Sequence, residues 1–119
     1  MSAISWSEFQ KVEIRIGTII EVNDFPEAIK PAYQLKVNLG EKIGIKQSSA
    51  QITDLYSKKD LIGKQVIAVV NLDSKKIGPF TSECLVTGFY RKDNKVVLAT
   101  PDKKVPNGTI LAYNNDSNY

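Results

Sequence analysis

The sequence predicts an all-β fold, a small five-stranded barrel around a single apolar core. Three observations carry that expectation. Apolar and polar residues alternate with period two over several short stretches, the pattern of half-buried strands. The first such stretch, beginning at Val12, is long for a small domain and has Gly17 near its middle, where a strand can bulge and bend to serve two sides of a barrel. Helix-like patterning is confined to short pieces, one near the N-terminus and one between the third and fourth strands.

The elements follow in order. Ser5 with Glu8 three residues later fits a capping box, opening a turn of helix that carries Trp6 and Phe9. Residues 1–11 are assigned to this helical segment, 12–113 to the barrel and 114–119 to a polar tail. In the first strand Val12, Ile14, Ile16, Thr18, Ile20 and Val22 share one face, and Glu13, Arg15, Gly17, Ile19 and Glu21 the other. Asn23 to Ala32 holds two prolines and reads as a loop. Tyr33, Leu35, Val37 and Leu39 alternate with Gln34, Lys36 and Asn38 as a second strand. A turn at Gly40 to Lys42 leads to a third strand, Ile43 to Ser48, with Lys46 on its outer face. Ala50 to Gly63 suits a short helix through Ile52, Leu55, Tyr56 and Leu61, with Gly63 at the capping position.

Gln65 to Leu72 is apolar on both faces, so it needs cover on both sides. Asp73 to Thr81 reads as a loop and Ser82 to Tyr90 as a strand. Arg91 to Asn94 is a hairpin turn, Lys95 to Thr100 the return strand, and Ile110 to Tyr113 a last strand segment. The order strand, strand, strand, helix, strand, strand, with a bent first strand, is that of the OB-fold. A six-stranded barrel of SH3 type is the rival, disfavoured by the helix-like insert.

Composition narrows the function. The 119 residues are 42% hydrophobic and 24% charged, ordinary for one globular domain, and Lys+Arg exceed Asp+Glu by 16 to 13. That charge of +3 permits nucleic-acid binding without demanding it. With no histidine and one cysteine, zinc sites built from nitrogen and sulfur ligands and histidine-dependent triads are excluded. No glycine-rich phosphate loop is present, so no nucleotide cofactor and no enzymatic chemistry are expected. The longest apolar run, Val66 to Val70, is too short to cross a membrane, and the N-terminus has neither the basic start nor the apolar stretch of an export signal. The lone Cys84 agrees with a reducing, cytoplasmic compartment.

OB barrels bind along strands two and three and the loops flanking them. Lys30 falls in the first of those loops and Lys75 and Lys76 in the other, while Lys36 and Lys46 project from the two strands. Together they can follow a phosphate backbone, although lysines also keep exposed strands soluble. Tyr33 either stacks a base or joins the core with Leu35 and Val37. Gln47, Ser48 and Ser49 open a polar run able to hydrogen-bond a ligand, while one serine of it can instead cap the next helix. Asn71 and Ser82, at either end of the same loop, each fix that loop or face the ligand.

Several segments together resemble the tRNA-binding domain family: the run from Glu13 to Ile19 (EIRIGTI), Pro26 to Ala28 with Lys30, Val70 to Leu72, Gly78 followed by Ser82, and Pro106 to Gly108. The likeness spans Phe9 to Ala112. Phe25 to Ala28, Pro31 with Ala32, the run Ile43 to Thr53 and Gln65 to Asn71 are similar to a branch of stand-alone, export-related chaperones within that family. The resemblance implies an OB-fold homodimer, tRNA and unfolded or pre-export polypeptides as partners, and no ATP requirement. It departs at Ser82 to Leu85, which keeps the serine of the family's Ser-x-Gly-Met segment but not its glycine and methionine, and at Ile29, where an acidic residue is usual. The doubly apolar strand Val66 to Val70 and the aromatic Trp6 and Phe9 ask for a covering partner, and the expected dimer interface comprises Trp6, Phe9, Val66 and Ala68. The client expected is an extended, neutral or partly positive segment.

Overall fold

A computed structural model describes residues 1–112. Its main sheet is antiparallel and five-stranded, built from β1 (Ile14–Asp24), β2 (Tyr33–Asn38), β3 (Ile45–Ala50), β4 (Gln65–Val69) and β7 (Leu85–Val86) in the order β3-β2-β1-β4-β7. Two hairpins pair β5 (Lys75–Ile77) with β6 (Phe80–Ser82) and β8 (Gly88–Tyr90) with β9 (Val96–Leu98). Single-turn helices α1 (Trp6–Phe9), α2 (Gly40–Ile43) and α3 (Lys58–Leu61) complete the described elements. The architecture is the nearly closed, OB-like barrel that the order of elements predicts.

The long first strand makes the barrel possible. Its first half pairs with β4 and its second half with β2, with a bulge between Ile19 and Glu21. The sequence points to Gly17 for the bend, and the structure moves it to Ile20. Gly17 instead serves close packing. A Cβ there would lie 2.5 Å from Val37 Cγ1 and 2.7 Å from Leu39 Cδ2, so only glycine lets the strand approach the core this closely. The bulge switches the inward face. Gly17 and Ile19 are buried before it, and Val22 packs on the core after it, which leaves Ile14 and Ile16 facing outward.

Ile19, Leu35, Val37, Leu39 and Val66 fill the barrel, and Leu61 of α3 plugs it; all six are fully buried. Each such side chain contributes roughly 1.5–3 kcal/mol by leaving water. Tyr56 ties the plug to two walls, accepting from Leu98 N on its hydroxyl at 3.1 Å and from Tyr33 Oη on its carbonyl at 2.8 Å. β3 and β7 run parallel, and the barrel closes between them where Glu83 N and Cys84 N donate to Gln47 O at 2.8 and 3.3 Å. The chain after Val105 returns along β1, with Gly108 N donating to Ile16 O at 2.7 Å and Leu111 N to Ile14 O at 2.8 Å.

Several boundaries differ from those the sequence predicts. The capping box of Ser5 and Glu8 forms as expected. The third strand starts at Ile45, because Gly40 to Ile43 winds one helical turn that Gly44 ends at φ +84°. The helix expected over Ala50 to Gly63 shrinks to α3, started by a second capping box, Ser57 with Asp60, and followed by Gly63 at φ +85°. Asp73 to Thr81 holds a hairpin rather than a plain loop, and Ser82 to Tyr90 breaks into three pieces. Of the last strand segment the described residues contain one bridge, Ile110 to Arg15; Tyr113 and the expected tail 114–119 lie outside them. Val66 and Ala68 are 0% exposed within this single chain, so neither meets a partner subunit. The barrel's own core supplies the cover that their face of β4 requires.

Candidate binding cleft

A second, smaller apolar cluster positions the site. Phe25 and Ala32 from the β1–β2 loop pack on Phe80 of β6, with the two rings 5.2 Å apart and tilted by 58°. Ala28 and Ile77 pack against the same cluster. The β1–β2 loop and the β5–β6 hairpin are thereby held side by side at one edge of the sheet. Between them lies a cleft of about 530 Å³. Its floor is Ala28, Ala32 and Ile77, and its rim carries Lys30, Lys75, Lys76 and Glu27. Ser49 and Gln51, at the end of β3, form the inner wall. Three ammonium groups against one carboxylate give the rim a positive potential beside an apolar floor, and all three lysines are exposed. Ile29, wholly exposed, adds an apolar side chain to the lip.

Four of the residues singled out from sequence thus meet at one cleft: Lys30, Ser49, Lys75 and Lys76. The others lie elsewhere. Lys36 sits on the outer face of β2, 3.5 Å from Glu21 across the ladder. Lys46 pairs opposite Val37, so it shares the inward face at the barrel rim rather than the outer face expected of it. Gln47 faces outward beside Lys36, its backbone occupied by Glu83 and Cys84. Ser48 is fully buried opposite Leu35 and cannot reach a ligand. Tyr33 is buried to 9% exposure with its hydroxyl bonded to Tyr56 O, so its ring is a core residue and not a stacking platform.

Asn71 is a clamp. Its Oδ1 accepts from Glu13 N at 2.8 Å and its Nδ2 donates to Lys11 O at 2.6 Å, anchoring the segment that precedes β1. Ser82 is another: its Oγ accepts from Ser49 N at 3.1 Å and helps close the barrel beside a small hollow of about 180 Å³. Cys84 is buried, and that burial chiefly pushes its thiol up to about 11. Sequence reasoning missed Glu27, Gln51 and Ile77 as cleft residues; Gln51 ends the polar run that flagged its neighbours, whereas Ile77 carries no local signal.

The segments that carry the family resemblance largely hold the fold together. Arg15 donates through Nε to Glu13 Oε2 and through Nη1 to Gly108 O, both at 2.7 Å. Thr18 Oγ1 donates to Asn107 Oδ1 at 2.6 Å, and Gln65 Nε2 donates to Val105 O at 2.7 Å. Gly108 at φ +86° approaches Leu39 O so closely that a Cβ would lie 2.6 Å away.

The outside of the barrel bears an apolar row. Ile14, Val69 and Leu85 align in register across β1, β4 and β7, with Leu85 48% exposed. Phe89 and Val97, paired on β8 and β9, are exposed as well. On α1, Trp6 and Phe9 contact each other at 5.7 Å and, with Ile4, line an apolar hollow of about 280 Å³. Among the described residues no helix is long and apolar enough to cross a membrane.

Comparison with known proteins agrees with this geometry. The family described as "Putative tRNA binding domain" matches residues 14–110. The crystal structure of chaperone CsaA from Bacillus anthracis str. Ames superposes with a TM-score of 0.87 at 41% identity, covering 93% of this chain and 100% of that one. The CsaA chaperone protein from Picrophilus torridus gives a TM-score of 0.87 at 51% identity, covering 92% and 100%. The methionine–tRNA ligase of Thermococcus kodakarensis is 35% identical over 111 residues, 93% of this chain but 14% of the ligase, so the chain spans about one seventh of that relative. A family match over residues 14–110, on an OB-like barrel, places the chain in the tRNA-binding domain family.

Proposed function

We propose that the protein is a non-enzymatic, cytoplasmic chaperone that holds unfolded export substrates without ATP and acts as a homodimer. One observation carries the reading: a single cleft joins an apolar floor of Ala28, Ala32 and Ile77 to a basic rim of Lys30, Lys75 and Lys76. Extended, unfolded segments present both apolar side chains and charge, and such a cleft takes both. The chaperones named above, alike along the whole of their own chains, support it. Exposed Phe89 and Val97, paired on β8 and β9, together with Trp6 and Phe9 of α1, give a second copy of the chain a surface to bury.

The test is aggregation of a heat-denatured client enzyme with equimolar purified protein and no nucleotide. Suppression, together with the mass of two chains by sedimentation, is expected. Unabated aggregation by a properly folded protein overturns the reading.

The three lysines also favour a second reading, binding of tRNA through its backbone and shape. One cleft then serves both ligands, and labelled tRNA is displaced by an unfolded peptide. Simultaneous binding of the two would separate the sites.

A further inference from the structure

The barrel wall has a gap. β3 and β7 run parallel, and their bonding ends at Gln47, with Ser49 N held by the Ser82 side chain. Beyond that point the two strands separate around a cleft of about 390 Å³, lined by Ser49, Gln51, Leu85, Val86, Thr87 and Tyr90 among others. Building on the peptide-holding reading above, we propose that this gap takes an extended polypeptide segment as an added strand, main chain against main chain.

Backbone direction is the basis. Thr87 N donates to Ile67 O at 3.0 Å, and Ala68 lies opposite Val86 and Val69 opposite Leu85. In an antiparallel ladder, hydrogen-bonded and non-bonded pairs alternate. The N–H and C=O of Val86 therefore point away from β4 and into the gap. On the other wall, Gln47 and Ser49 turn their amides outward, toward residues 82–84. The same alternation directs Gln51 outward two residues on. Among the described residues no backbone hydrogen bond outside the strand ladders involves Val86 or Gln51. Each side of the gap thus offers a donor and an acceptor, which is what an incoming strand uses. An RNA backbone offers only its 2′-hydroxyls as donors, at nucleotide rather than peptide spacing.

Charge fixes the chemistry of the occupant. No charged side chain lines the gap, and half-exposed Leu85 with 77%-exposed Tyr90 gives it apolar contact area. Ser49 and Gln51 line both this gap and the lysine-rimmed cleft, so the two adjoin. The fitting ligand is an uncharged, β-prone stretch running into acidic residues that reach Lys30, Lys75 and Lys76. That reverses the neutral or positive client expected from the sequence.

The probe is a fluorescent peptide of alternating threonine and valine followed by three glutamates. Its partners are the same peptide ending in three lysines, and one N-methylated within the threonine–valine stretch. The glutamate peptide binds best, each amide methylated where it meets a wall weakens binding roughly three- to tenfold, and amide exchange at Val86 and Gln51 slows in the complex. If the peptide binds with those two amides unprotected and N-methylation without effect, strand addition is wrong while peptide holding stands. If neither this peptide nor an unfolded client binds at all, both fall.

Discussion

Replacing Lys30, Lys75 and Lys76 together by alanine removes the three ammonium groups that line the cleft. Each lysine that neutralises a phosphate contributes about 0.7–0.9 to the slope of log affinity against log salt. The triple variant should therefore lose about two to three units of slope with tRNA as the polyanion. Over a fourfold rise in salt, the unmodified protein loses roughly 15- to 60-fold more affinity than the variant. Lys36→Ala is the control, since that ammonium sits on the neighbouring face 3.5 Å from the Glu21 carboxylate. Its removal should change the slope by much less than one unit. The assay is fluorescence anisotropy of labelled tRNA at several salt concentrations, with urea midpoints to confirm that the variants fold. A triple variant that keeps the full slope, or a Lys36→Ala effect as large as the triple one, refutes the assignment of the cleft.

Three further outcomes follow from the fold. Gly17→Ala puts a methyl 2.5 Å from Val37 Cγ1 and should destabilise by about 1–3 kcal/mol in urea unfolding; an unchanged midpoint would mean the strand can move aside. Asn71→Ala removes two hydrogen bonds to the segment before β1, about 1–3 kcal/mol together; proteolysis after Lys11 should accelerate, and equal cleavage rates would show that the clamp is not needed. The Cys84 thiol is raised from 9.0 to about 11, so its contribution is fully present below pH 9 and lost as pH rises from 9 to 11. A rise from 9.0 to about 11 corresponds to at most about 3 kcal/mol. Cys84→Ala should flatten the alkaline fall in stability, and an unaltered fall would assign it to other groups.

Much of the barrel is legible in the sequence because burial and alternation coincide there. β2 is buried at every second residue, as its pattern of tyrosine, leucine and valine demands. The capping box at Ser5 can be read because both of its bonds are local. What escapes depends on contacts distant in sequence. The bulge at Ile20 leaves no compositional mark, yet it inverts the face of everything before it. Alternation puts Lys46 on the wrong face because Ile43 and Ile45 read as the inward residues, whereas Ile45 is 55% exposed and Lys46 pairs opposite inward-facing Val37. Asn71 and Ser82 stand out as polar residues at strand ends, but their partners lie 58 and 33 residues away. Only the general geometry of OB loops places Lys75 and Lys76 near Lys30. The Phe25–Phe80 contact that brings them together has no sequence signal.

That aromatic contact also governs how the cleft meets whatever enters it. Two loops pinned by their own small hydrophobic cluster behave as one rigid jaw, already shaped before any ligand arrives. Little freedom is left to lose on association, so affinity is not drained by ordering the receptor. Loosening the jaw, as Phe80→Ala would, should slow capture and speed release without touching a single lysine.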